Sequence, residues 1–186
     1  MAKRVLIFGA GSIGNHMANA CSKMNYDVFV TDISNIALHR MKNKIYPQRY
    51  KKWNKKINII KFNNWQKLNK EFDLIIIGTP PNSHLSLLRK CLKVFDSNKI
   101  LVEKPLCSFT EKLDLIKDLK NEYIFCGYNH SISPSINYLF EKLINNKEKI
   151  QFIDIQWREG WNGILGSHYW LKNEFSSYLG DYKSGG

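Results

Sequence analysis

The stretch Arg4-Val5-Leu6-Ile7-Phe8-Gly9-Ala10-Gly11-Ser12-Ile13-Gly14 decides the fold. Its first five residues form a short apolar run closed by glycine, the pattern of a parallel strand buried on both faces. Beyond it, Ile13, Met17, Cys21 and Met24 recur at helical spacing, so a helix begins where the glycines end. Each glycine has a physical use in such a strand–turn–helix. Gly9 permits the tight turn, Gly11 lets the backbone approach a pyrophosphate, and Gly14 lets the helix pack close to the strand. The first turn of the helix then offers N–H groups and the positive end of its dipole to an anion. A purely structural glycine turn, or a site for another nucleotide such as S-adenosylmethionine, fits the same letters.

Asp32 discriminates among these. It ends the second apolar run, Asp27–Thr31, about 20 residues beyond the glycines, where a carboxylate accepts hydrogen bonds from adenosine ribose hydroxyls. A carboxylate there repels a 2′-phosphate, so NAD is favoured over NADP. Arg40, nearby in a basic stretch, is the candidate partner for such a phosphate.

The rest of the chain alternates. Ile36–Lys44 reads as a helix, Tyr46–Lys56 as an ambiguous polar and aromatic stretch, and Ile57–Phe62 as a third strand. Asp73–Ile77 is the clearest strand, stopped by Gly78-Thr79-Pro80-Pro81. A helix capped by Asn82 or Ser83 follows, with Leu85, Leu88 and Leu92 inward. Ile100–Glu103 is the next strand. Ser108-Phe109-Thr110-Glu111 has capping-box spacing and opens a helix to about Lys120. Tyr123–Tyr128 is a strand and Ser135–Asn145 a helix. This order predicts an α/β fold, a doubly wound, mostly parallel sheet of Rossmann type. In Ile150–Trp157 the residues Gln151, Asp154 and Gln156 interrupt the apolar positions, the mark of a strand with one face in water. It reads as the first strand of an incomplete α+β second domain, with residues 1–125 as the dinucleotide-binding domain and 126–186 as the start of the second.

Composition narrows the function classes. Hydrophobic residues make up 44% of the 186, which is ordinary for a folded protein. No apolar run approaches the length of a membrane span, and Val5–Phe8 is too short for a signal peptide, so the expected compartment is the cytoplasm. The four cysteines, at 21, 91, 107 and 126, lack metal-ligand spacing and read as small buried hydrophobes. No metal site is expected. The net charge of +12 is concentrated in residues 40–70, which hold eleven Lys or Arg and no acid. That segment could steer a phosphate-bearing ligand or serve a non-catalytic interaction module. Nucleic acid is disfavoured, because no RNA- or DNA-binding motif accompanies the charge.

Three strand ends carry further chemistry. Gly78-Thr79-Pro80-Pro81-Asn82-Ser83-His84, Glu103-Lys104-Pro105 and Gly127-Tyr128-Asn129 each follow a strand at the carboxyl edge of the sheet, where ligands of such folds bind. A His, a Glu–Lys pair and an Asn therefore share one crevice. GxGxxG, TPPxxH, EKP and GYN in this order and spacing resemble the glucose–fructose oxidoreductase / inositol dehydrogenase family (Gfo/Idh/MocA), over essentially the whole chain.

The resemblance implies an NAD(P)-dependent oxidoreductase acting on a sugar, inositol or nucleotide-sugar hydroxyl. It implies that Gly9, Gly11, Ser12, Ile13 and Gly14 hold the pyrophosphate and Asp32 the adenosine ribose. Thr79, Pro80 and His84 would line the nicotinamide side, Glu103 would bind the nicotinamide ribose, and Asn129 would touch nicotinamide or substrate. Lys104 would be the active-site lysine, stabilising negative charge or relaying a proton. Two departures stand out. Ser131 occupies a position where the family often has Arg. The chain also ends at Ser184-Gly185-Gly186, which resembles the opening of a Gly-rich turn that precedes the family's acid/base histidine. Gly166-Ser167-His168 lies before that turn and is not assigned this role. The expected chain is thus C-terminally truncated, binding cofactor without the acid/base segment. Its expected partners are a small sugar or nucleotide-sugar substrate, and a homo-oligomer or a chain supplying the missing half.

Overall fold

Strand β1 (Arg4–Phe8) shows how the sheet is built. Val5 and Ile7 join the core on one face, Leu6 and Phe8 the core on the other, and all four are buried. A strand covered on both faces needs such a continuous apolar run. The computed structural model describes residues 2–96, 99–111, 123–145, 151–152, 154–156, 158, 160–169, 171–176 and 180–181.

The other strands are β2 (Asp27–Asp32), β3 (Ile57–Lys61), β4 (Leu74–Ile77), β5 (Ile100–Val102) and β6 (Ile124–Cys126). They form one sheet in the order β3-β2-β1-β4-β5-β6, with every neighbouring pair parallel. The order reverses between β1 and β4, so the crevice between their carboxyl ends is the topological switch point.

Helix α1 (Ser12–Lys23) contributes Ala18 and Cys21 to the first core. Helix α2 (Asn35–Arg40) runs through a π turn, Met41–Ile45, into α3 (Tyr46–Tyr50). This corrects the reading that left Tyr46–Lys56 undecided: the helix continues to Tyr50. Pro47 is the physical reason for the π turn, because it has no N–H to donate and its ring crowds the carbonyl four residues back. The widened turn, closed by the Tyr46 N–H on the Met41 carbonyl, absorbs that conflict. On the opposite face α4 (His84–Val94) brings Leu87, Leu88 and Cys91 against Leu6, Ile75 and Ile77. Trp65, from the 3₁₀ turn Phe62–Lys67, meets Phe8 edge-on at 5.1 Å between ring centroids.

Past β6 the chain forms α5 (Pro134–Asn145) and α6 (Trp161–Ser167). In α5, Ile136, Leu139, Phe140 and Leu143 are exposed. The helix expected from Ser108 to Lys120 lies outside the described residues from 112 onward. Of the strand expected over 150–157, residues 150, 153 and 157 lie outside the described set, and the described ones carry no strand. Cys21 and Cys91 are buried as expected, but Cys107 and Cys126 are only half-buried, and all four are free thiols. Among the described residues no helix is long and apolar enough to cross a membrane.

Candidate functional site at the switch point

The sheet ladder runs one residue past the ends of its strands. Gly9 N–H donates to the Thr31 carbonyl at 2.8 Å, Gly78 N–H to Phe8 at 2.8 Å, Glu103 N–H to Ile77 at 2.9 Å, and Gly127 N–H to Val102 at 2.7 Å. Four motif residues are thereby fixed at one edge.

The glycines are demanded by close contacts. Gly9 has φ +107°, and a Cβ there would stand 2.4 Å from the Gly78 carbonyl oxygen. A Cβ on Gly14 would stand 1.9 Å from the Gly9 carbonyl oxygen. Gly11 differs: a Cβ there would meet nothing within 4 Å. Folding alone therefore does not require glycine at 11, and the open space on this side of the loop fits the approach of a phosphate. As the cap of α1, Gly11 brings no side chain to the helix's first N–H groups, and that turn holds no acid. Those donors have no partner inside the helix and are suited to an anion.

Asp32 is tied to the same loop. Its Oδ2 accepts from the Ala10 N–H at 2.8 Å and its Oδ1 from the Ser34 N–H at 2.8 Å. Ser34 in turn caps α2 by accepting from the Ala37 N–H. A carboxylate has about four lone-pair sites, so two such bonds leave acceptor capacity for ribose hydroxyls.

Across the crevice, half-exposed Ile13 approaches Gly78, where a Cβ would lie 3.6 Å from Ile13 Cγ2 and 3.8 Å from Glu103 Cγ. Glu103 is buried and its carboxylate faces Gly127, where a Cβ would lie 3.2 Å from both oxygens. Lys104 is exposed beside it, and the Lys104–Pro105 peptide is cis. Asn129 is exposed at the start of a 3₁₀ turn. Ser131 turns back to the Tyr128 carbonyl, 2.5 Å away. Thr79 is partly buried and Pro80 exposed, and Ser83 Oγ lies 2.7 Å from both Thr79 Oγ1 and the Pro80 carbonyl.

His84 sits differently from the other site residues. It is fully buried, with Nδ1 2.9 Å from the Pro105 carbonyl oxygen and Nε2 2.6 Å from that of Thr79. Carbonyls only accept and a neutral imidazole carries one N–H, so one ring nitrogen donates while the other abuts its carbonyl, and the ring lies between the turn after β4 and the turn after β5. It offers no surface to the crevice.

Sequence reading missed a second layer around the loop. Asn15, wholly buried, donates from Nδ2 to the Gly11 carbonyl at 2.8 Å and fixes the loop from beneath. A polar residue on the inward face of α1 was its signal. Arg49 donates from Nη1 to Ser12 Oγ at 2.9 Å and to His16 Nε2 at 3.2 Å. Tyr50 Oη lies 2.5 Å from His16 Nδ1. Burial holds His16 below the usual imidazole range, and the charges of Arg49 and His168 push the same way. Burial likewise raises the Tyr50 phenol, against the pull of Arg49.

A glycine loop at the switch point, closed by an acid at the end of the second strand, defines a dinucleotide-binding Rossmann domain. The family model of the Gfo/Idh/MocA oxidoreductases, described as an oxidoreductase family with an NAD-binding Rossmann fold, matches residues 3–124. The chain belongs to that family.

Solved structures share the fold. UDP-N-acetylglucosamine 3-dehydrogenase from Acidithiobacillus ferrooxidans is 18% identical with a TM-score of 0.52, over 76% of this chain and 44% of that one. A myo-inositol dehydrogenase from Corynebacterium glutamicum is 20% identical with a TM-score of 0.54, over 79% and 42%. 3-Hydroxybutyryl-CoA dehydrogenase from Escherichia coli is 18% identical with a TM-score of 0.52, over 68% and 29%. The chain thus spans less than half the length of each. No curated protein matches it.

Proposed function

We propose that this chain is the NAD-holding part of a dehydrogenase acting on a sugar, inositol or nucleotide-sugar hydroxyl. The observation that carries the reading is Gly11. Its neighbours at 9 and 14 are glycines because backbone packs against them, whereas Gly11 faces open space beside the first turn of α1. In this reading Gly9, Gly11, Ser12, Ile13 and Gly14 form the pyrophosphate cradle. Asp32 accepts from the adenosine ribose, which favours NAD over NADP, and Glu103 accepts from the nicotinamide ribose. Thr79 and Pro80 line the nicotinamide side. His84 acts at one remove, holding the Thr79 turn against Pro105, and Asn129 faces nicotinamide or substrate.

NAD, when bound, supplies a hydride acceptor. The residues of this chain bind and orient it, and Lys104 sets a positive charge where negative charge develops on the substrate oxygen. Residues 1–125 form the cofactor domain in this reading, and 126–186 begin a second, substrate-facing one. The exposed apolar residues of α5, outside both cores of the sheet, support that division. The chain's partners in this reading are a small sugar or nucleotide-sugar substrate and a homo-oligomer or a second chain. The cytoplasm suits the four free thiols.

Calorimetric titrations with NADH, S-adenosylmethionine and a short RNA test the ligand class. NADH is expected to bind and the other two to give no heat. Preference for S-adenosylmethionine or RNA would overturn the reading.

A further inference from the structure

We infer that Arg49 is a pyrophosphate-contacting cation of the dinucleotide site, set against the first turn of α1 by Ser12 and His16. The inference rests on the NAD reading above and adds to it a residue outside the glycine fingerprint.

Placement is the first argument. Arg49 Nη1 lies 2.9 Å from Ser12 Oγ and 3.3 Å from the Ser12 carbonyl oxygen. Ser12 opens α1, where the helix presents its N–H groups to an anion. A guanidinium there adds a full charge to the partial charge of the helix end, and its planar fork of donors matches phosphate oxygens.

The fold holds the side chain in that position. The π turn before Pro47 delivers α3 onto α1, where buried Tyr46 reaches Asn19 Oδ1 through its hydroxyl at 3.3 Å. A guanidinium can only donate, so His16 Nε2 is the acceptor of the Arg49 bond. His16 then keeps its proton on Nδ1 and donates it to Tyr50 Oη. One tautomer satisfies both contacts, and the group holds Arg49 against the first turn of α1.

The chemistry favours the pyrophosphate over a 2′-phosphate. The adenosine ribose belongs at Asp32, whose oxygens bond Ala10 and Ser34. Arg49 bonds Ser12 instead. The basic segment 40–70 thereby gains a use: its net positive charge favours an anionic dinucleotide, and Arg49 brings one of those charges against α1.

The test compares the wild-type chain with Arg49→Ala and Arg49→Lys, titrated with NADH and NADPH at several salt concentrations. Arg49→Ala is expected to weaken both ligands alike by about 10-fold or more, and to flatten the salt dependence of binding. Arg49→Lys, which keeps the charge without the fork, is expected to fall between and to guard against a folding defect. Unchanged NADH affinity in Arg49→Ala would overturn the inference. So would a loss confined to NADPH, or a loss that leaves the salt dependence as steep as in the wild type. Failure of the wild-type chain to bind NADH would instead defeat the underlying NAD reading, and is seen before any variant is compared.

Discussion

The carboxylate of Asp32 accepts the backbone N–H of Ala10 at 2.8 Å, so the acid that ends β2 braces the glycine turn that ends β1. One side chain therefore shapes the phosphate loop and offers its remaining acceptor sites to a ribose. Binding and local folding are coupled at this residue.

That coupling gives Asp32→Ala two expected effects. Hydrogen bonds to a charged group are worth about 1.5–3 kcal/mol, so NADH affinity should fall by roughly 10- to 100-fold. Melting temperature should fall too, because the Ala10 and Ser34 N–H groups lose their acceptor. Asp32→Asn retains an acceptor oxygen and should lie between. Titration and thermal melts of the three proteins check this.

Gly11 and Gly14 should respond in opposite ways to alanine. Gly14→Ala forces a Cβ to within 1.9 Å of a backbone oxygen, so the chain should fold poorly. Gly11→Ala meets nothing within 4 Å and should melt within a few degrees of the wild type, yet lose NADH affinity because the methyl stands where phosphate approaches. Equal melting losses in the two variants would count against the assignment of Gly11.

His84→Ala removes the ring's hydrogen bond to a part-buried carbonyl and leaves a void between the turns after β4 and β5. The expected cost is about 2–3 kcal/mol, a fall in melting temperature of roughly 5–10 °C. NADH affinity should fall with it as the Thr79 turn loosens. Calorimetric melts and titrations of one preparation provide both numbers.

His16 makes stability depend on pH. Its imidazole is held below the ordinary value of about 6.5 in the folded chain, so the unfolded chain binds the proton more readily. Its contribution is present above about pH 6.5 and is lost as pH falls through the folded value. Protonated Nε2 can no longer accept from Arg49, which acts in the same direction. Melting temperature should drop between pH 7.5 and 5.5, and His16→Ala should reduce that drop.

Burial pushes the Cys91 thiol up to about 12, and the residue has no exposed surface. Iodoacetamide at pH 8 should leave Cys91 unlabelled in the native chain and label it once denatured. Half-buried Cys107 and Cys126 should react first.

The central strands were legible because each is an apolar run that the sheet buries on two faces, and β1 and β4 appear in the letters almost to the residue. The glycine loop was legible for the same kind of reason, since its chemistry is local in sequence. Pro47 hid the continuation of α2, because a proline ordinarily ends a helix and a π turn depends on packing that letters do not carry. Arg49 was lost for a related reason. Within the 40–70 segment its charge looks like its neighbours' charges, and only the turn before Pro47 sends it to Ser12. His84 showed the converse limit: its letters name the residue, but whether its ring faces the crevice or the interior depends on packing against the Pro105 carbonyl, which lies 21 positions away.

The most direct test of NAD binding by this chain is a fluorescence titration of the wild-type 186-residue protein with NADH. Saturable one-to-one binding should appear, with melting temperature raised at saturation by ligand linkage of about 2.7 kcal/mol at 100 times Kd. Absence of both saturation and thermal shift in a folded chain would contradict it.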